Sequence, residues 1–248
     1  MANEQGRPRR GIYLLPNLFT TGALFAGFYS IIAAIGGDFA AAGASTVVAL
    51  FLDGFDGRVA RMTGTSSAFG AEYDSMADMI SFGAAPALVV YFYSLQYAPG
   101  LGIKQLGWLA AFVYTACAGL RLARFNVQVG SSDKRFFQGL ASPSAALLVM
   151  SYVWSAHELG VDGREVVVVS LLITLVSGIL MITNFAYYSF KDFDFKRRLP
   201  FVAAVLLVVG LSIIALHPPR TLFILFLIYA LHAPVLSLWR WLRRRQRK

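Results

Sequence analysis

Apolar stretches of about twenty residues, the length that crosses a bilayer, recur along this chain, and they restrict its fold more than any other feature. Read in order they cover residues 13–37, 39–62, about 70–95, 105–120, 140–156, 165–184, 200–216 and 221–239. The composition agrees, since 57% of the 248 residues are hydrophobic and only 14% are charged, well outside the soluble average. The expectation is an all-α polytopic membrane bundle of eight transmembrane helices, formed by a single domain over residues 1–248. The first apolar run is too long for the apolar region of a signal peptide and reads as an uncleaved span.

Charge sets the orientation. Lys and Arg concentrate on the cytoplasmic side of membrane proteins. With the N-terminus inside, only Lys104, Arg164 and Arg220 of the 22 basic residues fall outside, so both termini are expected to be cytoplasmic. The net charge of +9 gathers at the ends of spans, which fits topology signals and contacts with anionic headgroups better than nucleic-acid binding. Cys117 is alone, so an intramolecular disulfide is excluded. His157, His217 and His232 are dispersed, which argues against a histidine metal site or triad.

Against this background, residues 51–79 stand out. They hold Asp53, Asp56, Glu72, Asp74 and Asp78, five of the chain's thirteen acids, between apolar runs where a charge is costly unless something offsets it. On a helix of 3.6 residues per turn, Asp53, Asp56, Gly57 and Ala60 share one face, and Gly70, Asp74 and Asp78 share a face of the next helix. The turn TGTSS at 63–67 makes the two helices antiparallel neighbours, so four carboxylates converge at the cytoplasmic end of the membrane. Glu72 points about 160° away from Asp74 and is left out.

Four carboxylates repel one another unless cations lie between them, and all-oxygen ligation favours hard ions such as Mg²⁺ or Mn²⁺. Two ions about 4 Å apart would share ligands and clamp a phosphate undergoing displacement. Gly57, Ala60 and Gly70 leave a groove beside the acids that large side chains would fill. The competing explanation pairs Asp53 and Asp56 with Arg58 and Arg61 and leaves Asp74 and Asp78 in a solvated first turn; it does not account for the spacing of all four. A divalent-cation transporter is a further alternative, but it predicts acids spread through the bilayer depth rather than gathered at one end.

The segment fits DxxDGxxAR, eight residues, then GxxxDxxxD, with Asp53, Asp56, Gly57, Ala60, Arg61, Gly70, Asp74 and Asp78 at the fixed positions. It closely resembles the signature of the CDP-alcohol phosphotransferases. The resemblance implies a membrane enzyme that moves a phosphate-linked alcohol from a CDP-alcohol to a second hydroxyl and releases CMP. It implies that Asp53, Asp56 and Asp74 bind metal, with Asp53 and Asp74 bridging two ions, and that Asp78 is the general base and also touches a metal. It lays Gly57, Ala60, Gly70 and Arg61 along the CDP moiety, and it implies a homodimer.

PNLFT at 16–20, RLARFN at 121–126, FQGLASPSAA at 137–146 and YSFKDFDFKRR at 188–198 resemble the bacterial and archaeal integral-membrane phosphatidylserine synthases. This resemblance implies CDP-diacylglycerol as the donor and L-serine as the acceptor. Ala141 departs from the proline expected in GLPSP. Arg121 and Arg124 share a helix face and suit the bidentate grip of a serine carboxylate; the alternative is a positive-inside anchor. Asn126 binds substrate or caps its helix. Asn17, Thr20 and Thr21 lie near enough to help bind the nucleotide, with capping the other reading of Asn17. Another acceptor, glycerol phosphate or inositol phosphate, would place a phosphate or sugar at RLARFN.

Overall fold

A computed structural model of the chain describes residues 14–65, 67–98, 106–128, 136–188 and 201–245. Lys104, most of YSFKDFDFKRR and the last three residues of the basic tail lie outside the described residues. The elements run α1 (Leu14–Ile35), α2 (Phe39–Thr63), α3 (Ala68–Asp78), a π-helical segment (Met79–Ala84), α4 (Ala85–Tyr93), α5 (Leu106–Gln128), β1 (Phe136–Gln138), α6 (Ser142–Glu158), α7 (Val167–Ile182), β2 (Ala186–Tyr188), α8 (Phe201–Leu216) and α9 (Pro218–Arg245). Because α3, the π segment and α4 form one rod, the described residues contain eight helical rods in the order the apolar runs predict. Five are long and apolar enough to cross a membrane: α1, α2, the Ala68–Tyr93 rod, α5 and the Pro218–Ser237 part of α9. At 16 residues, α7 is apolar but shorter.

Local chemistry starts and stops these helices. Asp38 caps α2 by accepting from the Ala41 amide at 2.9 Å. Gly64 ends α2 in the left-handed conformation, φ 63°, which glycine adopts without a steric penalty. Three residues on, Ser67 caps α3 by accepting from the Gly70 amide at 3.0 Å. TGTSS thus contains a helix stop and a helix start.

The π segment has a cause in the sequence. Pro86 lacks an amide hydrogen to offer the preceding turn. The buried Tyr114 hydroxyl of α5 donates instead to the Phe82 carbonyl at 3.2 Å. On the other side Ser81 donates to the Ala23 carbonyl of α1 at 3.1 Å, and Gly27 lets α1 approach so closely that an added Cβ would lie 2.4 Å from the Ser81 hydroxyl. The rod is therefore held just inward of Asp78 from two sides.

The core centres on α6, where Ala145 to Val149 are buried, against Val89 and Val90 of α4, Tyr114 of α5 and Met181 of α7. Ala230 and Ala233 of α9 join the same cluster. Phe25, Phe28, Val48, Phe51, Leu172 and Ile228 face outward, as expected for helices solvated by lipid. A two-stranded antiparallel ribbon, β1 with β2 in the register Phe136↔Tyr188, ties the α5–α6 connection to the segment after α7. Among the described residues this ribbon is the one departure from an all-helical bundle.

Candidate active site

The sequence places α2 and α3 side by side, but the structure holds their backbones apart. α1 packs against both, whereas α2 and α3 barely meet. A cleft of about 190 Å³ of solvent-accessible space opens between them, lined by Pro16, Asn17 and Thr20 of α1, Asp56, Gly57, Ala60 and Arg61 of α2, and Gly70, Ala71 and Asp74 of α3, with Thr65 and Ser67 from the turn.

Carboxylate oxygens of Asp53, Asp56 and Asp74 all lie within 4.8 Å of one another. Asp78 falls outside that trio, although its carboxyl engages that of Asp53. The predicted convergence of four acids is thus three together with the fourth alongside. Asp74 Oδ1 is buried without a hydrogen-bond partner, and three carboxylates at this range repel unless something positive lies between them. An all-oxygen cluster with an orphaned acceptor fits a hard divalent cation. Glu72 is exposed and apart.

The residues expected beside a nucleotide gather as well. Asn17, Gly57, Ala60, Arg61 and Gly70 all line the cleft. Asn17 lies inside α1 rather than at its cap, and its Oδ1 would be 3.5 Å from a Cβ added at Gly70. Arg61 folds back over Gly57, where an added Cβ would meet its Nη1 at 3.5 Å. Thr21 donates to the Asn17 carbonyl at 2.7 Å and pairs with the Tyr73 hydroxyl at 2.9 Å, which braces α1 on α3. Thr20 turns to Asp56 and donates to Oδ2 at 2.7 Å. Pro16, Thr65, Ser67 and Ala71 complete the lining; the sequence marks the first three only through PNLFT and the TGTSS turn, and Ala71 not at all.

The two arginines of RLARFN part company. Arg121 donates from Nη1 to the buried Ser142 hydroxyl at 2.7 Å, keeps a buried Nε without a partner, and lies within electrostatic reach of Asp78. Arg124 donates to the Asn184 side chain at 3.2 Å and to the Ile182 carbonyl at 3.0 Å, where it ties off the C-terminus of α7. Asn126 is inside α5, not at its cap, and donates to Ser75 of α3 at 3.0 Å.

The CDP-alcohol phosphatidyltransferase family model matches residues 13–186, which contain the cleft, the acids and both arginines. The chain belongs to this family. A Helicobacter pylori protein named CDP-diacylglycerol--serine O-phosphatidyltransferase is 36% identical over 90% of the chain and 92% of its own length. A Methanocaldococcus jannaschii protein of the same name is 31% identical over 75% of the chain and 78% of its length. The archaetidylserine synthase of Methanothermobacter thermautotrophicus is 35% identical over 56% of the chain and 57% of its length. As a member of the CDP-alcohol phosphatidyltransferase family, with its apolar helices, the chain is an integral membrane transferase of phospholipid synthesis.

Proposed function

We propose that the chain transfers the phosphatidyl group of CDP-diacylglycerol to the hydroxyl of L-serine, giving phosphatidylserine and CMP. One observation carries this reading: a cleft lined by Asn17, Gly57, Ala60, Arg61 and Gly70 opens onto Asp56 and Asp74, and the half-buried Arg121 lies within electrostatic reach of Asp78. The names of the H. pylori and M. jannaschii relatives point to the same donor and acceptor.

Asp53, Asp56 and Asp74 would hold two divalent ions, Mg²⁺ or Mn²⁺, with Asp78 at the edge of the site. When bound, such ions offset charge on the pyrophosphate and on the departing CMP. The protein's groups do the rest. Gly57, Ala60 and Gly70 keep the cleft open to the nucleotide, and Arg61 at its exposed edge supplies a guanidinium for phosphate oxygens. Asp78 accepts the proton of the serine hydroxyl, whose oxygen bonds to the phosphorus next to diacylglycerol as the pyrophosphate bond breaks and CMP departs with the electron pair. Arg121 Nε, desolvated and unpartnered, is free for the serine carboxylate. Arg124 and Asn126, expected beside serine, are occupied with α7 and α3, and their role in this reading is to hold α5 in place.

All eight rods span in this reading, both termini and the cleft face the cytoplasm, and the homodimer rests on the family resemblance alone. The test is purified protein incubated with CDP-diacylglycerol, Mg²⁺ or Mn²⁺, and a panel of labelled serine, glycerol phosphate and inositol phosphate. Serine-dependent release of CMP with labelled phosphatidylserine is the expected result. CMP release that follows another acceptor and ignores serine overturns the acceptor assignment.

A further inference from the structure

Thr20 is 3% exposed at the floor of the cleft, where its hydroxyl stands 2.7 Å from Asp56 Oδ2 and 3.2 Å from the Pro16 carbonyl one turn back on its own helix. A hydroxyl has one proton, and the shorter, charge-assisted contact takes it. Asp56 is itself 6% exposed, so water does not replace that donor. The bond crosses between helices: α1 holds an acid of α2 by a contact thirty-six residues apart in sequence. While Oδ2 accepts from Thr20, Asp56 keeps a carboxylate oxygen within 4.8 Å of those of Asp53 and Asp74.

We propose that Thr20 is a positioning residue for the metal centre: its hydroxyl fixes the rotamer of Asp56, so that the carboxylate meets a divalent cation without reorganising, and it does not contact the nucleotide. Side chains that orient a metal-binding carboxylate in this way typically change metal affinity 10- to 100-fold when removed. The inference rests on the reading of Asp56 as a metal ligand.

Thr20→Val keeps the shape and removes the hydroxyl, and Thr20→Ser keeps the hydroxyl. Mn²⁺ binding to the purified full-length protein, without substrate, is read by electron paramagnetic resonance, alongside the CDP affinity at saturating Mn²⁺. The expected result is Mn²⁺ affinity about 10-fold or more weaker in Thr20→Val, close to the parent in Thr20→Ser, and CDP affinity at saturating metal little changed in both. Thermal melts in detergent check that both variants are folded before binding is compared. Unchanged Mn²⁺ affinity in Thr20→Val overturns the proposal, as does failure of Thr20→Ser to restore it. A loss of CDP affinity at saturating Mn²⁺ also overturns it, by making Thr20 a nucleotide contact. Asp56→Asn separates the two levels: if it leaves Mn²⁺ binding intact, the metal reading of Asp56 fails, whereas if it weakens binding and Thr20→Val does not, only the positioning role fails.

Discussion

Arg121 on α5 meets Ser142, the first residue of α6, at 2.7 Å, whereas Arg124 one turn along α5 reaches Ile182 and Asn184 past the end of α7. Two arginines on one helix face therefore serve different partners, and their replacement separates accordingly. Arg121→Ala is expected to raise the KM for serine about 10-fold or more while Mn²⁺ affinity is kept, since a charged hydrogen bond to a carboxylate contributes about 1.5–3 kcal/mol. Arg124→Ala is expected to lower the melting temperature through a loss of about 2 kcal/mol, with a smaller change in KM. Steady-state kinetics and thermal melts on both variants decide it; equal KM effects would return Arg124 to the acceptor pocket.

Asp74 combines an orphaned buried oxygen with close neighbours Asp53 and Asp56. Asp74→Asn and Asp53→Asn should each abolish turnover and weaken Mn²⁺ binding, while removal of carboxylate repulsion leaves the metal-free fold as stable as the parent or more so. Near-normal turnover of either variant at saturating metal would contradict the arrangement.

Asp78 stands next to Asp53 but outside the trio. Asp78→Asn cannot accept a proton, so kcat should fall about 10²-fold or more with Mn²⁺ and CDP affinities largely retained. A variant whose defect disappears at high metal concentration would make Asp78 a ligand and not the base.

GLASP contains two residues whose substitution should act in opposite directions. Gly139 has φ 80°, and a Cβ there would lie 2.2 Å from the Met181 carbonyl oxygen. Gly139→Ala should therefore destabilise by about 3 kcal/mol or more, because the left-handed conformation alone costs an alanine roughly 1–2 kcal/mol. Ala141 has φ −62°, the value a proline ring imposes. Ala141→Pro should be tolerated and stabilise by about 0.4–1 kcal/mol. Thermal melts in one detergent compare the two directly.

The acids were legible because helical periodicity alone brings 53 with 56 and 74 with 78, and glycine and serine mark the turn between them. The separation of α2 from α3 was not, since it depends on α1 packing against both, which no local pattern encodes. Arg121 and Arg124 were inseparable for a similar reason: their partners, Ser142 and Ile182, lie 21 and 58 residues away. The β ribbon is three residues per strand and offers too little alternation to detect. The π segment was not foreseen either: Pro86, four residues after Phe82, lies within an apolar run where a proline has several outcomes, and the Tyr114 hydroxyl that meets the Phe82 carbonyl comes from another helix.

Tyr187 of β2 is fully buried and donates to the Ala230 carbonyl of α9 at 2.8 Å, its ring packed against Tyr229 and His232. Tyr229 in turn lies within electrostatic reach of Arg121. The surroundings of a residue from the middle of the chain are thus finished by a helix that follows it far along the sequence. During biosynthesis the aspartates can be threaded into the bilayer long before Arg121 acquires its final neighbours, so a nascent chain stalled ahead of α9 would carry the acids and lack the completed acceptor side.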